Sequence, residues 1–190
     1  MQARSFSVQE SLPIMWRASR SIPLIRSFSK NKRINKAFRE RIMLAISGVN
    51  GCAMCSFVHT KLALAEGISA EQIKQLLGGE YSDIPAAEAV GVLYAQSYAS
   101  GKEVIDPVSF DRLVKEYGEA KAYCILQVCQ IITFTTVMGI TLDGIKQRLT
   151  FKKAHNHLLA ELVILLLIFT AFPLMLVYNA IIVFLTRPSK

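Results

Sequence analysis

From residue 35 to residue 150 the apolar positions recur at three- and four-residue intervals. That is the spacing of helix faces, and no stretch alternates strongly enough to form a strand. Between Lys36 and Ser47, one stripe holds Phe38, Ile42, Met43, Ala45 and Ile46. Residues 48–51 break it, with Asn50-Gly51 as a turn signal. A second helix is expected from about Cys52 through Val58, Leu62 and Leu64 to Glu66, with Gly67 as its C-cap. Ser69 and Gln72 have the spacing of a capping box and open a short helix to Leu77, which Gly78-Gly79 ends. Pro85, with Ser82 or Asp83 as cap, opens a helix to about Tyr98. Asp106-Pro107 repeats that grammar for a helix ending at Tyr117-Gly118. Glu119 to Met138 is apolar around most of its circumference, which predicts a helix buried in the core or at a subunit contact. Leu142 to Leu149 adds a last short helix. The pattern predicts an all-α body of six or seven helices.

The two ends depart from this pattern. Residues 5–29 cluster apolar side chains between Arg and Ser residues, interrupted by Pro13 and Pro23. Any helices there are expected to be short. They read as amphipathic segments lying on a membrane surface or on the domain, or as a basic tail. Trp16, the only tryptophan, suits a headgroup-level anchor or a core position. At the other end, Leu162 to Thr186 runs for 25 residues without a charge, at about 1.5 Å per residue enough to cross a bilayer core. One C-terminal transmembrane helix is expected. The division is therefore 1–34 basic amphipathic segment, 35–150 helical domain, and 151–190 juxtamembrane segment and span.

Composition and charge sharpen this division. The mean hydropathy is +0.36 for 190 residues. The apolar excess is concentrated after residue 157. Residues 1–41 hold ten Lys and Arg against Glu10 and Glu40, which accounts for the whole formal net charge of +8. Such a surface suits anionic lipid headgroups. No nucleic-acid-binding motif is visible, and no nucleic-acid partner is expected. Lys146, Arg148, Lys152 and Lys153 precede the apolar stretch, and Arg187 and Lys190 follow it. The bias predicts a single-pass protein of the cell membrane with its body in the cytoplasm. Glu161, His155 and His157 are expected at the interface.

Four cysteines in a chain this long are too few for a disulfide scaffold. Cys124 and Cys129 lie five apart, on different helix faces, and read as core. Cys52 and Cys55 differ. They open a helix, where unpaired amides and the helix dipole lower a thiol pKa. His59 follows Cys55 by four residues on the same face, placed to accept its proton. A reactive thiolate with a second thiol in disulfide reach is the minimum equipment for two-electron thiol chemistry. Metal ligation by Cys52, Cys55, His59 and a histidine from 155 or 157 is the alternative chemistry for these residue types. No metal and no cofactor are called for.

Glu40, Cys52, Cys55 and His59 together read Glu-x11-Cys-x2-Cys-x3-His. This resembles the signature of the alkylhydroperoxidase D (AhpD)-like branch of the carboxymuconolactone decarboxylase superfamily, over roughly residues 35–150. The resemblance implies an all-helical fold that forms a homo-oligomer, often a trimer or hexamer. It implies Cys55 as the peroxidatic nucleophile, Cys52 as the resolving thiol, and His59 with Glu40 as the proton relay. It further implies a hydroperoxide substrate and re-reduction by a dithiol or lipoyl partner, beside the membrane lipid that the apolar tail suggests. One position departs: Met54 stands where well-known members carry a second histidine. The alternative function is a non-enzymatic, membrane-tethered oligomeric interaction module or thiol redox sensor.

Overall fold

The computed structural model describes residues 3–29, 34–151 and 157–186, with only the backbone of 26–29. The described residues form nine helices and no strand. They are α1 (Val8–Ser29), α2 (Lys36–Asn50), α3 (Ala53–Ala65), α4 (Ala70–Gly78), α5 (Ala86–Ser100), α6 (Pro107–Tyr117), α7 (Glu119–Leu149), α8 (Leu158–Phe169) and α9 (Ala171–Leu185). Most of the local grammar of the body holds; the exception is α5, whose N-cap is Pro85 with no side-chain bond, so neither Ser82 nor Asp83 caps it. Asn35, Cys52, Ser69 and Asp106 each accept a backbone N–H at the start of their helix. Gly51 and Gly79 close α2 and α4 in the left-handed conformation that glycine adopts without cost.

Two hydrophobic cores share the length of α7. The first lies among α2, α4, α5, α6 and the first half of α7, around Phe38, Ile42, Leu113 and Ile125. The second lies around the far half of α7. There Phe134, Val137 and Ile140 meet Phe6, Ile14, Met15 and Ala18 from the N-terminal segment and Ile164 and Ile168 from α8. Cys52 and Cys55 belong to this second core. Both chain ends are thus wrapped onto the body where the cysteine pair sits.

Four local expectations change. The N-terminal segment is one 22-residue helix despite Pro13 and Pro23. Its buried face, with Ile14, Met15 and Ala18, packs along α7 and α9 and outweighs the lost backbone bonds. Glu119 to Leu149 is one continuous helix, because Gly139 is a point of close approach and not a terminator. The uncharged C-terminal stretch is two helices that meet at Thr170. Pro173 is the cause: it lacks an N–H, and its ring excludes the carbonyl of Phe169, the last residue of α8. Glu161, expected at headgroup level, is fully buried between α7 and α8 and bonds Arg148 Nε at 3.0 Å. A Cβ on Gly144 would collide with its carboxylate, so that glycine leaves it the room. Cys124 and Cys129 are buried, as expected. His155 lies outside the described residues, and His157 is the exposed N-cap residue of α8.

By length and composition, two stretches could cross a membrane: Glu119–Leu149 and Leu158–Leu185. They differ in surroundings. The first is largely buried in the body; the second buries about one-sixth of its most apolar window.

Candidate redox-active site

The site begins at the end of α2. The chain leaves that helix through Asn50 and Gly51, whose φ of 64° turns it sharply. Cys52 then caps α3, its N–H bonded to the Ser47 carbonyl at 3.1 Å. Its sulfur accepts the backbone N–H of Cys55 at 3.2 Å. A thiolate at Cys52 would therefore meet an amide donor at a helix N-terminus. The two sulfurs are joined as a disulfide, with Cα atoms 5.3 Å apart, inside the usual range for one.

The wall behind the pair comes from α7. Cys55 Sγ lies 3.7 Å from Thr136 Oγ1 and 3.6 Å from the Thr135 carbonyl oxygen. In the reduced state the hydroxyl can donate to a Cys55 thiolate, and the carbonyl can accept from a thiol. Gly139 faces both sulfurs. A Cβ there would stand 2.9 Å from Cys52 Sγ and 3.3 Å from Cys55 Sγ. Cys52 is 1% exposed and Cys55 6%, so the pair sits under cover, while Met54 between them in sequence is half-exposed.

Glu40 and His59 form a second pair. His59 Nδ1 and Glu40 Oε2 are 2.7 Å apart, and Arg39 bonds the other carboxylate oxygen at 3.1 Å. With Glu40 ionised, Nδ1 carries a proton and donates it, so that in the neutral tautomer Nε2 is the acceptor nitrogen. Burial pushes the Glu40 carboxyl up. The hydrogen bond and charge of His59, with Arg39 beside them, outweigh that and hold it below its ordinary value. The four predicted residues therefore form two bonded pairs, Cys52 with Cys55 and Glu40 with His59, on neighbouring helices. His59 is anchored to Glu40, while the close polar contacts of Cys55 come from Thr135 and Thr136.

Sequence reasoning missed Thr135, Thr136 and Gly139, and also Arg4. Two adjacent threonines and a glycine inside an otherwise apolar helix were the available signal for the first three. Arg4 carried no local signal. Its N–H bonds the Asn50 carbonyl at 2.9 Å, and its guanidinium bonds Asn50 Oδ1 at 3.3 Å and Glu103 at 2.6 Å. The N-terminal segment thereby pins the turn that delivers Cys52.

The carboxymuconolactone decarboxylase family model matches residues 26–94, a stretch that carries Glu40, Cys52, Cys55 and His59. Helices α6 to α9 and the first part of α1 lie outside it. No curated protein and no solved structure matches the chain. The family match and the joined cysteine pair are compatible with a redox function.

Proposed function

We propose that this chain is an AhpD-like, thiol-dependent peroxidase and disulfide oxidoreductase held at the cell membrane, with its helical body facing the cytoplasm. The joining of Cys52 to Cys55, beside a histidine fixed by a buried carboxylate, carries the reading. His59, through Nε2, takes the proton of the Cys55 thiol. The Cys55 thiolate attacks the outer oxygen of a hydroperoxide. The O–O bond breaks, the alcohol leaves with a proton, and Cys55 becomes a sulfenic acid. The Cys52 thiol attacks that sulfur, water leaves, and the disulfide forms. A dithiol or lipoyl partner returns two electrons and two protons to both thiols. Thr136 supplies a hydroxyl to the Cys55 thiolate in the role that the absent histidine at Met54 does not fill.

Stopped-flow peroxide consumption with a dithiol present tests the cycle. Cys55→Ser is expected to lower turnover by on the order of 1000-fold, because the attacking atom is gone. Unchanged consumption would remove the peroxidase reading.

A homo-oligomer, trimer or hexamer, belongs to the proposal. The outer face of α3 exposes Met54, Phe57, Val58 and Leu62 next to the site. Lys61, His59 and Thr60 interrupt it, which suits a protein partner better than lipid. The same face favours the second reading, an oligomeric interaction module whose thiols sense redox state. Loss of assembly in Cys55→Ser, with no Cys55-dependent peroxide turnover in the unaltered chain, would favour that reading.

A further inference from the structure

The apolar C-terminal pair, α8 and α9, does not stand clear of the body. Asn179, 4% exposed in the middle of α9, donates to Ser19 Oγ on α1 at 2.9 Å. Tyr178 lies beside Trp16 of α1, and Phe172 stacks on Phe134 of α7 with centroids 4.0 Å apart. The buried Glu161 carboxylate, bonded to Arg148, fastens α8 to the end of α7. One side of the pair is therefore held to protein at points from Glu161 to Asn179.

The helix it docks on is not a membrane helix. At the level of Tyr178 and Asn179, α1 carries Arg17 and Arg20. Arg17 donates to the Glu103 carbonyl at 2.9 Å, and Arg20 is exposed. A bilayer surrounding α9 at this level would also surround these charges, at a cost of roughly 2.5–3.5 kcal/mol for each one at the bilayer centre. Pro173 bends the apolar run at Thr170, so that 12 of its residues lie in α8 and 15 in α9. The outward side is another matter. Leu162, Leu166, Phe169, Leu174, Ile181 and Phe184 are all exposed, without a charge among them.

We propose that α8 and α9 are a one-leaflet anchor and not a span. Their outward ridge enters the acyl region of a single leaflet, and the body and the end of α9 stay on the same side of the bilayer. The committed partner is an anionic leaflet. On α1 the exposed Arg20 and half-exposed Trp16 lie beside the ridge, where headgroups would lie, and the segment 1–41 carries an excess of basic residues. The inner face of α8, with Ile164 and Ile168, belongs to the same core as Cys52 and Cys55. The pair would thus lie about one helix diameter, roughly 10 Å, below the lipid. This inference rests on the membrane part of the proposed function and is independent of the peroxidase part.

The test uses the full chain, added to preformed sealed vesicles of phosphatidylglycerol and phosphatidylcholine. Lys74→Cys on α4 marks the body, and Thr186→Cys marks the end of α9; the unaltered protein, with its buried cysteines, sets the background. A membrane-impermeant maleimide is expected to label both positions equally from outside. Trp16 fluorescence is expected to fall with lipids brominated near the headgroup and not with lipids brominated near the bilayer centre. Loss of labelling at Thr186→Cys, with Lys74→Cys still labelled, would overturn the inference in favour of a span while leaving membrane binding intact. Failure to float with the vesicles, with the mass of a dimer in solution, would overturn the membrane reading itself and assign the ridge to a second copy.

Discussion

The core around Phe38 and Ile125 and the core around Cys52 and Phe134 meet along α7, yet they are made of different material. The first is closed by helices close together in sequence, and its residues are almost all aliphatic or aromatic. The second is closed by the two chain ends, and it holds sulfur, threonine hydroxyls and a glycine pressed against a disulfide. The family match covers α2 to α4 and part of α5 and stops before α7. The chemical motif therefore lies inside the matched stretch, while its seat lies outside. The helices outside the matched stretch cover the cysteine pair.

The largest expected effects come from emptying each core in turn. Ile125→Ala and Ile164→Ala each remove a fully buried side chain, and each is expected to cost about 2–5 kcal/mol in urea unfolding. Because α7 runs through both cores, both variants should still unfold in a single transition. Two separated transitions in Ile164→Ala would mean that the terminal helices form a unit of their own.

Next come the glycines. A Cβ at Gly91 would strike the Phe38 ring, and one at Gly139 would strike the two sulfurs. Both Gly91→Ala and Gly139→Ala are expected to lose about 1–3 kcal/mol by overpacking. The contrast lies in redox state. Gly139→Ala should be the more destabilised with the disulfide closed, whereas Gly91→Ala should respond equally in oxidised and reduced protein. An equal response of Gly139→Ala would show that the second core does not seat the disulfide through this contact.

Much of this architecture was legible in the chain. Helix starts at Ser69 and Asp106 could be placed because a side-chain oxygen three residues before an N–H is a local arrangement. The grouping of Glu40 with His59 rested on family spacing, since Glu40 alone between two arginines reads as surface charge. What could not be read was non-local. Pro13 and Pro23 argue against a long helix unless the packing of Ile14 and Met15 is known. That the uncharged run after Glu161 docks on α1 shows only once Asn179 is seen to bond Ser19. Thr136 and Arg4 reach the cysteine turn from 81 and 46 residues away from the residues they bond. No window along the chain contains both partners.

A smaller effect concerns the carboxylate behind the site. Its folded pKa lies below the ordinary value, so the stability that Glu40 contributes is complete above that value. It is lost as pH falls through the folded pKa. Urea midpoints measured from neutral to acid pH should decline there, and the decline should be shallower in Glu40→Gln. An identical profile in the variant would mean that the pairing with His59 does not favour the ionised carboxylate.

The central claim, that Cys55 attacks and Cys52 resolves within this covered seat, is tested most directly by trapping the intermediate. Reduced Cys52→Ser protein is treated with one equivalent of hydroperoxide and a 1,3-dione that captures sulfenic acids, and its peptides are weighed. The predicted result is an adduct on the Cys55 peptide of Cys52→Ser and none at Cys52 in Cys55→Ser. An adduct on Cys52 in Cys55→Ser, with Cys55 unreacted in Cys52→Ser, would contradict the account and reverse the two roles.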